Sequence, residues 1–337
     1  MDLNRPEDAA RVHQFLLSHP EASSHQYPGY MSACYPNRSI RFFLLTDGME
    51  DVCGCLVSER AGIADLQFGP IGTHTGHIAA CVLRVNHHYH KKRYGMLRVQ
   101  LPCYPDDSYS EKIAAAIRSE RRFYTQKKNN WATLMLSLRQ EYNELRRNYS
   151  ENLRRNIKKG ITLGLHVKML ASDSEIKKLG EIFDSLYTWR GVKTTWTNSP
   201  ETFLRWYQYF DAHCKACWFG VFDKDEKMLG GILLVKQGDT VFYQTGATDP
   251  EQRSAPVLHV CFDHAIRWAK DSGFAFFDFG GYHLEATEAD QTYHINNFKS
   301  MFGGSIQKSY PAMIFPLFKP AYWTLIGLLS VRDKLNQ

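Results

Sequence analysis

No stretch of this chain is apolar for long enough to cross a bilayer. The most apolar late run, Tyr322-Trp-Thr-Leu-Ile-Gly-Leu-Leu-Ser-Val331, is about half of the roughly twenty residues a membrane span requires. The first residues, Met-Asp-Leu-Asn-Arg-Pro-Glu-Asp, contain no apolar core of the secretory kind. Cysteines stand at 34, 53, 55, 81, 103, 214, 217 and 261 without a disulfide-type rhythm, which predicts reduced thiols in a cytoplasmic protein. Neither sign of charge is in large excess. Lys and Arg number 41 against 35 Asp and Glu, a formal +6. That is a mild bias toward anionic partners such as phosphates, nucleotides, RNA or an acidic membrane face, with no DNA partner expected. A metal pattern is missing as well. His87, His88 and His90, followed by Lys91-Lys-Arg93, have no carboxylate at helical spacing, and His213-Cys214-Lys-Ala-Cys217 is one Cys-x-x-Cys without a second pair. Four ligands would be needed, so buried thiols are favoured and no metal is expected.

What is present points to a sizeable core. Of 337 residues 44% are hydrophobic and 13% aromatic, enough for two domains or one large one. A helix is predicted over 6–19, then strands at 40–45, 52–57 and 63–71 separated by turn residues, a helix over 77–87, a strand at 96–101, a helix over 111–122 and a strand at 131–138. Residues 141–160 read as one polar helix with Leu145, Tyr149, Leu153 and Ile157 in a narrow stripe and Gly160 as C-cap. After a strand at 165–170 and helices at 173–188 and 200–212, a second meander follows at 217–222, 228–235 and 240–247. A helix opening with Ser254 as N-cap and Pro256 near N1 comes next, then a strand at 274–278, a helix over 290–302 and a strand at 307–315. Meander, helix, strand, helix, strand thus occurs twice. The expected architecture is α/β with mixed sheets: a first half over 1–140, a connector helix over 141–160, and a second half over 161–337 carrying the main motifs.

The most pointed stretch is Phe274-Ala-Phe-Phe-Asp278-Phe-Gly280-Gly281, a buried strand opening into a glycine pair, followed by Phe298-Lys299 beside Gly303-Gly304. The doubled meander resembles the GNAT acyltransferase core. Tyr243-Gln-Thr-Gly-Ala-Thr-Asp-Pro250, Pro256, Phe277-Asp-Phe-Gly-Gly281 and Phe298-Lys-x-x-Phe-Gly-Gly304 together resemble the Fem family, tandem-GNAT enzymes that use aminoacyl-tRNA to build peptidoglycan cross-bridges. Asn152-Leu-Arg-Arg-Asn-Ile-Lys-Lys-Gly160 resembles the arginine-rich helix before their second half. The match covers about residues 130–315 by motif and the first half by layout. The glycine-rich pyrophosphate loop of CoA-binding GNATs is absent from Glu251-Gln-Arg-Ser-Ala-Pro256; this weighs against acyl-CoA as donor without removing it.

The resemblance implies acyl transfer to an amine, which needs a deprotonated amine, a polarised carbonyl and a stabilised oxyanion. It places the family's motif lysine at Lys299, which would stabilise the developing charge or a donor phosphate; the competing reading is a surface lysine. Tyr243 would donate a hydrogen bond to the tetrahedral intermediate, or simply fill the core. Gln244 and Gly246 lie on the strand expected to offer N–H groups to the donor. Asp278 is better read as ordering its glycine turn than as catalytic, with Gly280 and Gly281 allowing close approach and Phe298 lining the cleft. Tyr282, His283, Glu285 and His294 include the better candidates for a base. Arg154, Arg155 and Lys158 would meet the phosphates of a nucleotide- or lipid-linked acceptor or of a tRNA end, or else form a solvated face. No tightly bound cofactor is expected, the donor being aminoacyl-tRNA or acyl-CoA. Two other functions stay open: an acyl-CoA-dependent N-acyltransferase acting on a sugar amine or amino acid, and a non-catalytic RNA- or anionic-surface-binding protein. For Phe315–Leu329, docking on the domain core is favoured over peripheral membrane contact.

Overall fold

The computed structural model describes residues 1, 3–103, 107–126, 131–191, 199–213 and 215–335, with backbone only at 107, 131 and 329–335. The chain divides into two compact units: 1–32, 36–129 and 308–337 form one, and 33–35 with 130–307 form the other. Each unit is built on a mixed sheet of seven strands among the described residues.

The first unit contains α1 (Pro6–Leu17), β1 (Ser39–Asp47), β2 (Glu50–Arg60), β3 (Ile63–Gln67), β4 (Ile71–Gly72), α3 (Thr75–Lys91), β5 (Met96–Gln100), α4 (Asp107–Glu120) and β6 (Tyr124–Thr125); α2 (Pro28–Cys34) straddles the unit boundary. β1, β2 and β3 pair antiparallel as the turn signals at Asp47-Gly48 and Ala61-Gly62 predict. β3 then runs parallel to β5 through the α3 crossover, the connection a parallel pair needs. The thiols of Cys53, Cys55 and Cys81 are buried among this unit's apolar side chains.

The second unit holds β7 (Trp131–Ser137), α5 (Tyr142–Arg147), α6 (Glu151–Thr162), β8 (His166–Met169), α7 (Asp173–Arg190), α8 (Pro200–Ala212), β9 (Ala216–Phe222), β10 (Met228–Gln237), β11 (Thr240–Thr248), α9 (Val257–Asp271), β12 (Phe276–His283), α10 (Gln291–Ser300) and β13 (Ser305–Lys308). Its strand order is β13-β7-β12-β11-β10-β9-β8. Helix α7 starts with a complete capping box, Ser172 and Glu175 satisfying each other's backbone N–H groups, and stops at Gly191 with φ +63°. Helix α9 buries Val257, Val260, Cys261, Phe262, Ala265, Ile266 and Ala269 against the sheet; each of the larger ones contributes about 1.5–3 kcal/mol.

Several expectations are corrected. The stretch 141–160 is two helices interrupted at Asn148–Ser150, where the Ser150 N–H bonds the Met301 carbonyl at 2.8 Å. They do not connect two halves: Leu145, Tyr149, Leu153 and Ile157 belong to the second unit's core. Gly160 is no C-cap, because α6 runs on to Thr162; a Cβ there would lie 2.4 Å from Val260 Cγ2, so glycine lets α6 approach α9. Helix α9 has Pro256, not Ser254, as its N-cap residue. Finally, the late strand divides into β13, in the second sheet, and β14 (Met313–Pro316), which pairs antiparallel with β5 in the first. With α11 (Lys319–Leu335) it returns the end of the chain to the first unit. β7, read as the last strand of the first half, instead pairs antiparallel with β12. Each parallel strand, β5 and β12, is therefore flanked by a strand whose position in the sequence suggested the other sheet.

Candidate active site

The site is built where the parallel pairing of β11 and β12 stops. Thr240, Val241 and Phe242 register with Phe276, Phe277 and Asp278, and no further pairs follow. β12 does not end at its glycines as the sequence suggests. It continues through Gly280 and Gly281 to His283 along β7, with a register shift between Asp278 and Gly281. β11 has an irregularity of its own: the register moves from Leu233–Thr245 to Leu234–Tyr243, leaving Gln244 as the extra residue of a bulge. Past Phe242, β11 and β12 share no ladder, so the β12-facing backbone groups of the later part of β11 lie outside it.

Asp278 orders this break. Its carboxylate accepts hydrogen bonds from Thr133 Oγ1 on β7 and from the Gly280 N–H at 2.7 Å. Burial pushes its pKa up, while Thr133, the Gly280 amide and the charge of Lys299 pull it back. Gly280 has φ +69°, and a Cβ would sit 3.0 Å from the Tyr243 carbonyl oxygen. This is the one position in the strand where a side chain would both strain the backbone and close the approach to β11.

Lys299 comes from α10, one turn after Asn296, and both are buried. Asn296 donates to the His283 carbonyl at 2.8 Å and accepts from the His283 N–H at 3.2 Å. Lys299 Nζ donates to the Gly281 carbonyl at 2.7 Å and lies 5.8 Å from the centre of the Tyr243 ring. The ammonium thus lies across the place where the two strands part. Only 6% exposed, it has its pKa pushed down to about 8 by burial, opposed by the charge of Asp278. Tyr243 packs edge-on against Phe262 at 4.8 Å, and its hydroxyl lies 2.8 Å from where a Cβ on Gly246 would be. Burial raises its pKa well above the ordinary value of 10, so the hydroxyl remains a donor at neutral pH.

Tyr243, Gly246, Asp278, Gly280, Gly281 and Lys299 are therefore brought together, with Gln244 beside them on the bulge. Phe298 packs on Phe262, the ring that also meets Tyr243, and on Phe302, each at 5.5 Å. Arg154 donates to the carbonyls of Arg147 and Tyr149, both at 2.9 Å, and Arg155 to Asn152. Among the described residues no hydrogen bond or ring contact joins Arg154, Arg155 or Lys158 to the Lys299 set. Of the base candidates, Tyr282 approaches Ser300 at 3.4 Å, and Glu285 and His294 are exposed. Cys214 lies outside the described residues, and Cys217 is buried at the start of β9.

Three contributors escaped sequence reasoning. Thr133 is separated from Asp278 by 145 residues, and nothing local marks it. Asn296 shares a helical face with Lys299, a spacing that could have flagged it. His259, in the first turn of α9, meets Phe298 edge-on at 5.1 Å and Asn156 at 3.3 Å. Burial lowers its pKa and favours the neutral ring. Among the described residues no group of three or more His, Cys, Asp or Glu side chains is placed to hold a metal ion, and no helix is long and apolar enough to cross a membrane.

Residues 147–294 match the family described as "Acetyltransferase (GNAT) domain". No curated protein sequence matches the chain. Among solved structures, the chain is similar to FemX (TM-score 0.76, 13% identity, 94% of this chain and 97% of that one). It is also similar to L-PGS from Bacillus licheniformis (0.64, 12%, 98% and 97%) and to a tandem GNAT protein from the clavulanic acid biosynthesis pathway (0.54, 11%, 92% and 96%). At these identities the likeness is one of fold: two tandem GNAT-like halves of mixed α/β sheet. The matched stretch falls within the second unit, and the break between β11 and β12 lies within it.

Proposed function

We propose that this acyltransferase moves an aminoacyl or acyl group onto an amine of a cell-wall precursor, in the manner of the Fem family. The observation that carries the reading is the arrest of β11–β12 pairing after three positions, with Lys299 and Tyr243 flanking the break. The donor's carbonyl would approach the unladdered backbone of β11 near Gln244. As the amine attacks, a C–N bond forms and the carbonyl oxygen becomes an oxyanion, which N–H groups, the Tyr243 hydroxyl and the Lys299 ammonium can stabilise. Collapse of the intermediate breaks the bond to the donor's hydroxyl or thiol, which takes up a proton while the amine loses one. A lysine with its pKa pushed down to about 8 is a cation in most molecules at neutral pH yet near the point of giving its proton up, a poise suited to this exchange. Asp278 is a positioning residue: it holds the Gly280 turn and the charge balance of Lys299. His259, neutral and close to Phe298, joins the candidates for accepting the amine's proton. Arg154, Arg155 and Lys158 remain candidates for donor or acceptor phosphates at the exposed face of α6.

The test is transfer of radiolabel from aminoacyl-tRNA to a nucleotide-linked muropeptide by the purified chain, with Lys299→Ala alongside. Transfer that falls at least about 100-fold in the variant, the scale of losing one oxyanion donor, supports the reading; equal rates refute the role of Lys299. The missing glycine loop at 251–256 favours tRNA over CoA as carrier. Transfer from acyl-CoA to a sugar amine or amino acid, with none from aminoacyl-tRNA, would reverse that preference.

A further inference from the structure

The first unit carries a surface of its own along helix α11. Helix α11 is fixed along one side. The Leu317 N–H donates to the Gly95 carbonyl at 2.9 Å and the Phe318 N–H to Tyr94 at 3.0 Å. Gly95 lies so close beneath the helix that a Cβ there would meet Leu325 Cδ1 at 2.3 Å. The opposite side is open. Trp323 is 67% and Leu328 63% exposed, with Thr324 and Gly327 exposed on the same face and Phe318 at its beginning. No residue from Pro320 to Leu328 is charged.

At one end of this apolar face lies the turn between α3 and β5, where Lys91, Lys92 and Arg93 are all exposed, as is Lys319. Turn and helix touch directly, the Arg93 guanidinium lying 5.7 Å from the centre of the Phe318 ring. Neither 87–95 nor 317–328 contains an acidic residue. An uncharged helix face carrying an exposed tryptophan, with a cluster of unopposed cations at its margin, matches the chemistry of a bilayer interface. Tryptophan rings settle at headgroup depth, leucine reaches the acyl boundary, and lysine and arginine meet lipid phosphates. A nucleic acid would use the cations but leave Trp323 and Leu328 without a role.

We infer that the α11 face and the Lys91–Arg93 turn dock this protein on an anionic lipid surface. The inference is independent of the acyl-transfer reading, and no activity is needed to test it. The full chain is sedimented with phosphatidylcholine vesicles, with and without one quarter phosphatidylglycerol, at 0.1 and 0.5 M NaCl. Binding is expected to the anionic vesicles only, and to weaken on the order of tenfold at the higher salt as the lipid charge is screened. Lys91→Glu with Lys92→Glu is expected to lower the apparent affinity at least about tenfold, and Trp323→Ala with Leu328→Glu to abolish sedimentation at both salts. All four side chains are exposed, so the variants should melt as the parent does; should the glutamates disturb the fold, Lys91→Gln with Lys92→Gln and Trp323→Ala alone carry the same test. Equal binding to neutral and anionic vesicles, no binding at 0.1 M NaCl, or full binding by folded variants would overturn the inference. So would a dimer that only the Trp323 and Leu328 changes dissociate, which would mean that a second copy covers this face.

Discussion

Replacing Lys299 by methionine should make the protein's stability respond to pH in a way that isolates one buried ammonium. The side chain is 6% exposed, and its pKa stands near 8 against an ordinary 10.5. At about 1.4 kcal/mol per pH unit, that gap corresponds to about 3 kcal/mol. The sign follows from proton counting. Below pH 8 the lysine is protonated in both folded and unfolded chains, and the folded state carries the whole cost of burying the charge. Between pH 8 and 10.5 the folded chain has released the proton while the unfolded chain still holds it, so stability rises with pH. Above 10.5 the cost is gone. The methionine variant has no such group. The unfolding free energy of the parent minus that of Lys299→Met should therefore be flat below pH 8 and rise by about 3 kcal/mol by pH 10.5. Near pH 7 relief of the buried charge favours the variant by about 3 kcal/mol, and leaving the Gly281 carbonyl without its donor takes back about 1–3 kcal/mol. The variant should thus range from equal to somewhat more stable. Urea melts of both proteins at pH 7, 8, 9 and 10 give the difference directly, and tyrosine and cysteine titrations common to both cancel. A difference that stays flat from pH 7 to 10 would refute the claim that burial holds Lys299 below its usual range.

Two further outcomes follow from the same geometry. Asp278→Asn keeps an oxygen for Thr133 and the Gly280 N–H but removes the charge that holds Lys299 up; the alkaline limb of the transfer rate should move to lower pH, and an unmoved limb would disprove the coupling. Gly304→Ala combines φ +98° with a Cβ 2.7 Å from the Met135 carbonyl oxygen, whereas Gly273→Ala, at φ +84°, meets nothing within 4 Å. Chemical denaturation should therefore show a loss of about 1–2 kcal/mol at Gly273, from backbone strain alone, and a clearly larger loss at Gly304; equal losses would remove the clash from the account.

Much of the fold was legible because its signals are local. The apolar rhythm of α9 and the turn residues of both meanders are properties of a few neighbouring residues, and the elements lie where those patterns put them. The same locality misled at 141–160. Leu145, Tyr149, Leu153 and Ile157 continue one stripe across Asn148–Ser150, where Ser150 caps the second helix through the Leu153 N–H and the Met301 carbonyl, far along the chain, takes the Ser150 N–H. Partner choice between strands was the least legible feature. β7 and β14 are short apolar strands, and apolarity says that a strand is covered, not which sheet covers it.

The motif residues divide in the same way. Glycine at 280 and lysine at 299 could be picked out as types with a function, because positive φ and buried charge are costly enough to restrict what can stand there. What each does was decided by tertiary structure. Thr133 and Gly281 give Asp278 and Lys299 their hydrogen bonds, and burial, which no short stretch of sequence encodes, moves the lysine toward neutrality. The sequence by itself determined the elements and the residue types at the break in the sheet. Only the packed chain decided which strands meet there and how far an ammonium group is taken out of water.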